Sequence, residues 1–374
     1  LLTYPFRIFF LSLAILAVIA IPLWLLAITG YTRVPLGLPA PLWHQHELVF
    51  GWLYAGIGGF LLTAVCVWTK TTRLQGGWLL GLWLVWLAGR GVTVAGANLP
   101  DALIIAVNLA FMPLVIVDVG RRVWAARQAR QLPILAILFA LWGMQAGFFL
   151  APGGSFIHGA LVATMALMLA IGGRITPNFS RAWLRRQGFD VEGIRVIPAL
   201  DNALLLALAA LLLGVLADYA AFTVTAAVTG AGLSLVRTLL WQGWRTRSEP
   251  LLWILHVSLL WIPVALLLLA GSALGWWPAT VWVHAAGVGA MGGLMLGMIS
   301  RVALGHTGRA LQLPTGLPAA FVLIHIAALV RVATGLGWLG WQPGLIGAGI
   351  LWVAAFGLYL MRYAGILMRP RADG

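Results

Sequence analysis

Seven histidines stand in a chain that is poor in polar residues, and two of them lie in the run Trp43-His44-Gln45-His46-Glu47. Imidazole is the commonest metal ligand among side chains, and a carboxylate beside it can orient the ring or bind the metal itself. His44, His46 and Glu47 are therefore candidate metal ligands. His44 and His46 lie about 200° apart around a regular helix, so we expect them to serve different partners. The alternative is that all three side chains contact water at a membrane interface and bind nothing.

Two further histidines, His158 and His284, each stand at the head of a later apolar run. Histidines that converge from different helices can hold a haem b through its axial positions, and imidazole also suits copper. His44 and His284 are the candidate haem ligands, and His158 and His284 are also candidate metal ligands. The run Cys-x-x-Cys-His does not occur, which excludes covalent attachment of haem. The alternative for each residue is a hydrogen-bonded histidine of the protein interior.

The remaining candidates are less clear from the sequence. His325 lies deep in a later apolar run and is a candidate metal ligand or part of a proton path, whereas we expect His256 to be structural. His306 is predicted to lie in a loop, too far from the other histidines to join them. Arg90 and Arg331 are candidates to pair with haem propionates, because the guanidinium group suits carboxylate recognition.

The composition decides which class of protein must position these residues. Of 374 residues, 62% are hydrophobic and 9% are charged, whereas a soluble domain carries roughly 25% charged residues. The chain is therefore a polytopic membrane protein. At roughly 20 residues per span, it is predicted to be all-α, a single domain over 1–374 of about twelve transmembrane helices. The spans are placed at roughly 8–29, 45–68, 77–97, 101–120, 132–150, 156–175, 198–216, 219–243, 251–271, 280–300, 316–338 and 345–366.

The basic residues indicate how the chain is oriented. A net charge of +14 would be compatible with nucleic-acid binding, but the 23 Lys and Arg residues are spread over many short loops. Membrane proteins carry such residues on the cytoplasmic side, so the predicted partner is the lipid bilayer and not nucleic acid. Only Arg33, Arg90 and Arg331 fall at the opposite ends of the spans. Both termini are therefore predicted to be cytoplasmic, with the histidines of the second, sixth and tenth helices at the periplasmic end.

A repeated sequence pattern relates these three helices. Leu167-Met168-Leu169 precedes Arg174 by the same spacing as Leu294-Met295-Leu296 precedes Arg301. In the second helix, Ile57-Gly58-Gly59 follows His44 at the spacing by which Ile171-Gly172-Gly173 follows His158. The pattern predicts a threefold repeat of four helices.

Together, these motifs resemble the NnrS family of bacterial membrane proteins. The matching stretches are Trp43 to Gly51 with Gly59 to Val65, Gly173-Arg174-Ile175-Thr176-Pro177, and His284 leading to Leu296 through Arg309. Gln45 stands where the family often has Ala and Leu48 where Met is usual, and neither change removes a candidate ligand.

The resemblance implies a twelve-helix protein of the bacterial inner membrane that contains haem and copper and is linked to nitric oxide and nitrosative stress. Its partners would be nitric oxide and a quinol or other electron donor. The layout also resembles the catalytic subunit of haem–copper oxidases, but only by analogy. The departures are substantial: there is no His-x-His in the tenth helix, no His-His pair in the seventh and no His-x-x-x-Tyr in the sixth.

Two functions follow as hypotheses. The first is a haem- and copper-containing protein that binds or turns over nitric oxide, with oxidoreductase chemistry as one form of that activity. The second is a membrane transporter of metal or haem whose histidines bind the cargo transiently. A visible spectrum of the purified protein distinguishes them, because resident haem gives a sharp Soret band and a transporter without cargo is colourless.

Overall fold

The computed structural model describes residues 1–31, 36–152 and 154–373, apart from the side chain of Ala97. The described residues form helices without strands, and twelve helices are long and apolar enough to cross a membrane. They are α1 Pro5–Ile28, α2 Ala40–Thr69, α3 Gly76–Ala95, α4 Asp101–Ala125, α5 Ala129–Leu150, α6 Ser155–Arg186, α7 Pro198–Leu216, α8 Ala220–Leu240, α9 Pro250–Ala273, α10 Thr280–His306, α11 Leu317–Gly335 and α12 Trp341–Met368. The predicted all-α fold with twelve spans is confirmed, and the chain is a multi-pass membrane protein.

Several helices extend beyond the spans placed from the sequence, and three of these extensions bear on the candidate residues. α2 begins at Ala40, so the histidine pair lies within the helix rather than ahead of it. α6 continues through Pro177 to Arg186, well past the end of the span placed at 156–175. α10 continues to His306, and the prediction that this residue lies in a loop is wrong. Hydropathy located the apolar centres of these helices but missed the first turns of α2 and the last turns of α6 and α10.

Two side-chain hydrogen bonds accompany the continuation of α6 past Pro177. Proline lacks the amide that would bond the carbonyl four residues earlier. Two polar side chains just after it bond back to the preceding turn: Asn178 Nδ2 donates to the Arg174 carbonyl at 2.6 Å, and Ser180 Oγ donates to the Thr176 carbonyl at 2.9 Å. Neither bond reaches the carbonyl of Gly173, which is the one that Pro177 leaves without its amide partner.

The chain divides into two compact units that interleave in sequence. The first unit comprises Leu1–Ala160, Arg301–Gln312 and Phe356–Gly374, and the second comprises Leu161–Ser300 and Leu313–Ala355. Three of the four divisions fall within α6, α10 and α12, and the fourth, between 312 and 313, falls in the connection between α10 and α11. The expectation of a single domain remains a prediction.

Within the first unit, α1 packs against α2, and α4 packs against α3 and α5. Glycines of α2 allow this close approach: a Cβ on Gly58 would meet the Phe111 ring, and one on Gly59 would meet the Phe10 ring. Within the second unit, α8 packs against α7 and α9, and α10 packs against α9 and α11.

The three helices that carry the repeated sequence pattern are more buried than the others. In their most apolar 18-residue windows, α2 is 89% buried, α6 83% and α10 72%, whereas the other nine helices range from 22% to 61%. The helices related by sequence are thus also the most enclosed by protein, as expected for elements that position polar groups away from lipid.

Candidate functional site: a buried histidine–glutamate–arginine network

The histidine pair of α2 lies where the helix changes its hydrogen-bonding pattern. Ala40–His46 is α-helical, and Glu47–Trp52 is π-helical. Because His44 and His46 lie on the α-helical part, they face different neighbours, as the sequence predicted. His44 stacks on the Trp24 ring of α1, with ring centroids 4.1 Å apart and planes 20° apart. His46 is fully buried, and its ring lies among Phe50, Phe148 and Phe149.

The carboxylate of Glu47 holds the buried imidazole of His46. Glu47 Oε1 lies 3.0 Å from His46 Nδ1 and 2.9 Å from the Thr93 hydroxyl of α3. Glu47 Oε2 forms an ion pair with Arg90 Nε at 2.6 Å. An ionised carboxylate only accepts hydrogen bonds, so His46 carries its proton on Nδ1. The arrangement fixes the tautomer and leaves the lone pair on Nε2.

Two amide side chains close this network. Arg90 Nη2 donates to Asn108 Oδ1 of α4 at 2.8 Å, and Asn108 Nδ2 donates to the Ile104 carbonyl at 2.9 Å. Gln145 Nε2 of α5 lies 3.3 Å from His46 Nε2 and 3.3 Å from the Asn108 carbonyl. The network therefore joins α2, α3, α4 and α5 in the first unit.

The network compensates charges that would otherwise be costly in an apolar bundle. Glu47 is 0% exposed and Arg90 is 8% exposed. An isolated buried ion costs several kcal/mol, and pairing with additional hydrogen bonds offsets that cost. Gly51 makes room for the pair, because a Cβ there would lie 2.9 Å from Glu47 Oε2 and 3.0 Å from Arg90 Nε. The π-helical segment that contains Gly51 thus brings backbone close to the ion pair.

Sequence reasoning missed Thr93, Asn108 and Gln145. Each is a buried polar residue in an apolar helix, and that isolation was the only available signal. Sequence reasoning also treated Arg90 as a partner for haem propionates, whereas the structure pairs it with Glu47. His158, which the sequence grouped with His44 and His46, lies in the first turn of α6 in the same unit and is half-buried.

In the second unit, His284 stands at another change of helical pattern. Thr280–His284 is α-helical, and Ala285–Gly292 is π-helical. His284 Nδ1 lies 2.6 Å from the Thr280 carbonyl. Since a carbonyl only accepts, the proton is on Nδ1 and the lone pair is on Nε2. A ring nitrogen held by a backbone carbonyl is typical of histidines that ligate metals through the other nitrogen.

His325 has the opposite tautomer. Trp261 Nε1 donates to His325 Nδ1 at 3.1 Å, which places the proton of the neutral ring on Nε2. His325 Nε2 is buried without a hydrogen-bond partner among the described residues. The neutral ring therefore presents a donor and not a metal-binding lone pair. Arg331 of the same helix is half-buried and forms neither an ion pair nor a hydrogen bond with another described residue.

Two other polar pairs of the second unit have structural partners. His256 is 4% exposed, and its Nε2 lies 2.9 Å from Ser180 Oγ, in line with the structural role expected from the sequence. Arg237 forms a 2.5 Å ion pair with Asp201 and donates to the Leu169 carbonyl at 2.9 Å. The sequence had assigned this arginine only to membrane orientation.

The described residues hold no group of three or more His, Cys, Asp and Glu side chains arranged to bind a metal ion. The candidate ligands His44, His46, Glu47 and His158 belong to the first unit, and His284 and His325 belong to the second. In the described residues, each unit supplies imidazole side chains but not a complete set of metal ligands.

Twelve apolar helices, with a buried histidine–glutamate–arginine network among α2, α3, α4 and α5, define a multi-pass membrane protein with a buried polar network. The family model described as NnrS protein matches residues 1–371, so the chain belongs to the NnrS family, as its motifs indicated. A comparison with curated proteins finds no significant match.

Proposed function

We propose that this protein contains haem and copper in the bacterial inner membrane, binds or turns over nitric oxide, and protects the cell against nitrosative stress. One observation carries the proposal: among the described residues, the two π-helical segments directly follow the candidate ligands of α2 and α10. Interruptions of this kind are frequent at functional sites. Membership of the NnrS family supports the same reading.

His44 in the first unit and His284 in the second each offer a donor that suits haem iron. Imidazole is a common axial ligand of haem iron, and the tautomer of His284 leaves Nε2 as its ligating atom. Beside His44, the atoms Trp24 Nε1, Trp43 Nε1 and Gln45 Oε1 are buried without hydrogen-bond partners in the described part of the chain. Buried polar atoms are normally satisfied, so this region is suited to a polar-edged group such as a porphyrin.

His46 is the candidate copper ligand, with Glu47 as the group that orients it. The Nδ1–H of His46 points to Glu47, which raises the basicity of the ring and leaves Nε2 on the side of the ring away from Glu47. The Gln145 amide, 3.3 Å from Nε2, would have to turn away when a metal binds. Glu47 is already paired with Arg90, so it fits the orienting role better than direct ligation.

Arg331 replaces Arg90 as the preferred partner for a haem propionate. Arg90 is neutralised by Glu47 at 2.6 Å, whereas Arg331 has no carboxylate partner in the described residues. When bound, the metal groups would supply gas coordination and electron chemistry, and the protein would supply orientation and a dry setting. Nitric oxide is apolar and dissolves in the bilayer, so it needs no dedicated channel to reach such a site.

The proposal includes the orientation of the chain in the membrane. All but three of the 23 basic residues lie at one set of helix ends, which favours cytoplasmic termini and histidines near the periplasmic face. Of the three exceptions, Arg33 lies outside the described residues. The sidedness decides which compartment supplies protons and electrons.

The test is the visible spectrum and the metal content of protein purified in detergent. We expect a Soret band and copper in the unaltered protein, and loss of most of the Soret band in His44→Ala or His284→Ala. His306→Ala, at the far end of α10, is the matched control and should retain haem. Unchanged haem in both ligand variants would refute the assignment. Colourless protein from haem-sufficient cells would favour the transporter of metal or haem instead.

A further inference from the structure

Arginines from four separate parts of the first unit gather around Tyr4, just before α1. The Arg73 guanidinium carbon lies 3.9 Å from the centre of the Tyr4 ring, and that of Arg7 lies 5.8 Å away. Arg371 Nη1 donates to the His306 carbonyl at 3.2 Å, and Arg309 Nη1 donates to the Thr307 carbonyl at 3.3 Å. The His306 ring lies 5.7 Å from the ring of Phe6, two residues after Tyr4. We call Tyr4, Arg7, Arg73, Arg309 and Arg371 the arginine cluster.

The cluster carries more positive charge than its neighbours compensate. Asp373 is the one carboxylate that pairs with any of the four arginines in the described residues, through Arg371 Nε at 2.8 Å and Nη2 at 2.5 Å. Arg7 is 3% exposed, and its Nη1 donates to the backbone carbonyls of Leu367 and Arg369, which carry only partial charge. Its Nε is buried without a partner.

Arg73 and Arg309 add charge without any carboxylate. Arg73 is exposed and lies over the Tyr4 ring, while Arg309 donates to the Thr307 carbonyl at 3.3 Å. Burial opposes ionisation of the Tyr4 hydroxyl, yet Arg73 and Arg371 lower its pKa below the usual value. A lowered pKa at a tyrosine is what a positive local potential produces.

The cluster lies at the ends of membrane spans. Tyr4 precedes α1, Arg73 follows α2, Arg309 follows α10 and Arg371 follows α12. Such helix ends meet the headgroup layer of a bilayer. Two of its arginines are accessible from outside the protein, because Arg73 is exposed and the Arg371 side chain is 34% exposed. Basic pockets between membrane helices are suited to anionic headgroups.

We propose that the arginine cluster binds a phosphate-bearing anion, and that its occupant is the phosphodiester headgroup of an anionic phospholipid. Guanidinium groups bind phosphate oxygens through paired, charge-assisted hydrogen bonds. Asp373 holds two donor nitrogens of Arg371 and therefore competes with the headgroup. The site is separate from the candidate metal ligands and does not depend on the proposed function.

The experiment uses the full chain purified in a neutral detergent. Phosphatidylglycerol, phosphatidylcholine and inorganic phosphate are added separately, and bound molecules are counted by native mass spectrometry alongside the thermal unfolding midpoint. We expect retained phosphatidylglycerol and a raised midpoint, with little effect of phosphatidylcholine. Protection by inorganic phosphate alone would assign the same anion site to a free phosphate. Equal binding of both lipids would overturn the proposal.

Four variants make the test specific. Arg73→Gln and Arg371→Gln should each weaken phosphatidylglycerol binding by about tenfold or more, the size of a lost charge-assisted hydrogen bond. Asp373→Asn should strengthen binding, and a gain cannot result from misfolding. Arg121→Gln is the control, because that arginine is 73% exposed and lies outside the cluster. Weaker binding in Asp373→Asn, or equal losses in Arg121→Gln and Arg73→Gln, would contradict the site.

Discussion

Glu47 Oε2 lies 2.6 Å from Arg90 Nε, and both side chains are buried between α2 and α3 of the first unit. The same carboxylate holds His46 at 3.0 Å through its other oxygen. The Glu47 carboxylate is therefore not free to bind a metal, and the Arg90 guanidinium is not free to bind a propionate. The effect of this pairing on stability can be measured.

Arg90→Gln should destabilise the protein strongly. Removing one partner of a buried ion pair leaves an uncompensated charge, which typically costs about 3–5 kcal/mol. The measurement is the thermal unfolding midpoint in detergent, and Arg121→Gln is an exposed control with an expected change within about 0.5 kcal/mol. The double variant Glu47→Gln with Arg90→Gln should recover part of the loss. A single variant as stable as the control would mean that the pair is not buried in the membrane-bound protein.

Gly51→Ala should disturb the same pair through volume alone. The added methyl would lie 2.9 Å from Glu47 Oε2 and 3.0 Å from Arg90 Nε, and overpacking of this kind costs about 1–3 kcal/mol. Gly91→Ala is the matched control, because a Cβ there meets no atom within 4 Å. Its stability should be equal or slightly higher, since alanine favours helix over glycine. Equal stability of the two variants would place Glu47 and Arg90 away from Gly51.

His46→Ala should lose copper and retain haem, because His46 and His44 have different neighbours. Metal analysis and the Soret band of the same preparation provide the two readouts. Thr93→Val removes one hydroxyl contact to Glu47 and should weaken copper retention less than His46→Ala does. Equal loss of haem and copper in His44→Ala and His46→Ala would mean that the two histidines share one site.

Cysteine labelling should establish the orientation of α6. The helix runs from Ser155 to Arg186, and 32 residues at about 1.5 Å each exceed the roughly 30 Å hydrocarbon core. In a Cys66→Ala background, Ser155→Cys should react with a membrane-impermeant thiol reagent on intact cells. Gln187→Cys, just beyond the other end, should react only after lysis. The reverse pattern would place the histidines on the cytoplasmic side.

The amino-acid sequence by itself determined the class of protein, the number of spans and the candidate ligands. Apolar runs near the length of a bilayer leave few alternatives to membrane helices, and the sparse histidines stand out against them. The relation among α2, α6 and α10 was visible in sequence, and these helices are the most buried. The 200° offset between His44 and His46 also followed from helix geometry.

Only the tertiary structure decided which polar groups meet. Arg90, Asn108 and Gln145 lie on three different helices, and hydropathy does not report how helices face one another. The π-helical segments at Glu47–Trp52 and Ala285–Gly292 could not be predicted from the sequence either, because an altered backbone hydrogen-bonding pattern leaves no periodic signature in so short a stretch. The arginine cluster arises for the same reason: its members are separated by up to 367 positions between Tyr4 and Arg371, and only packing brings those helix ends together.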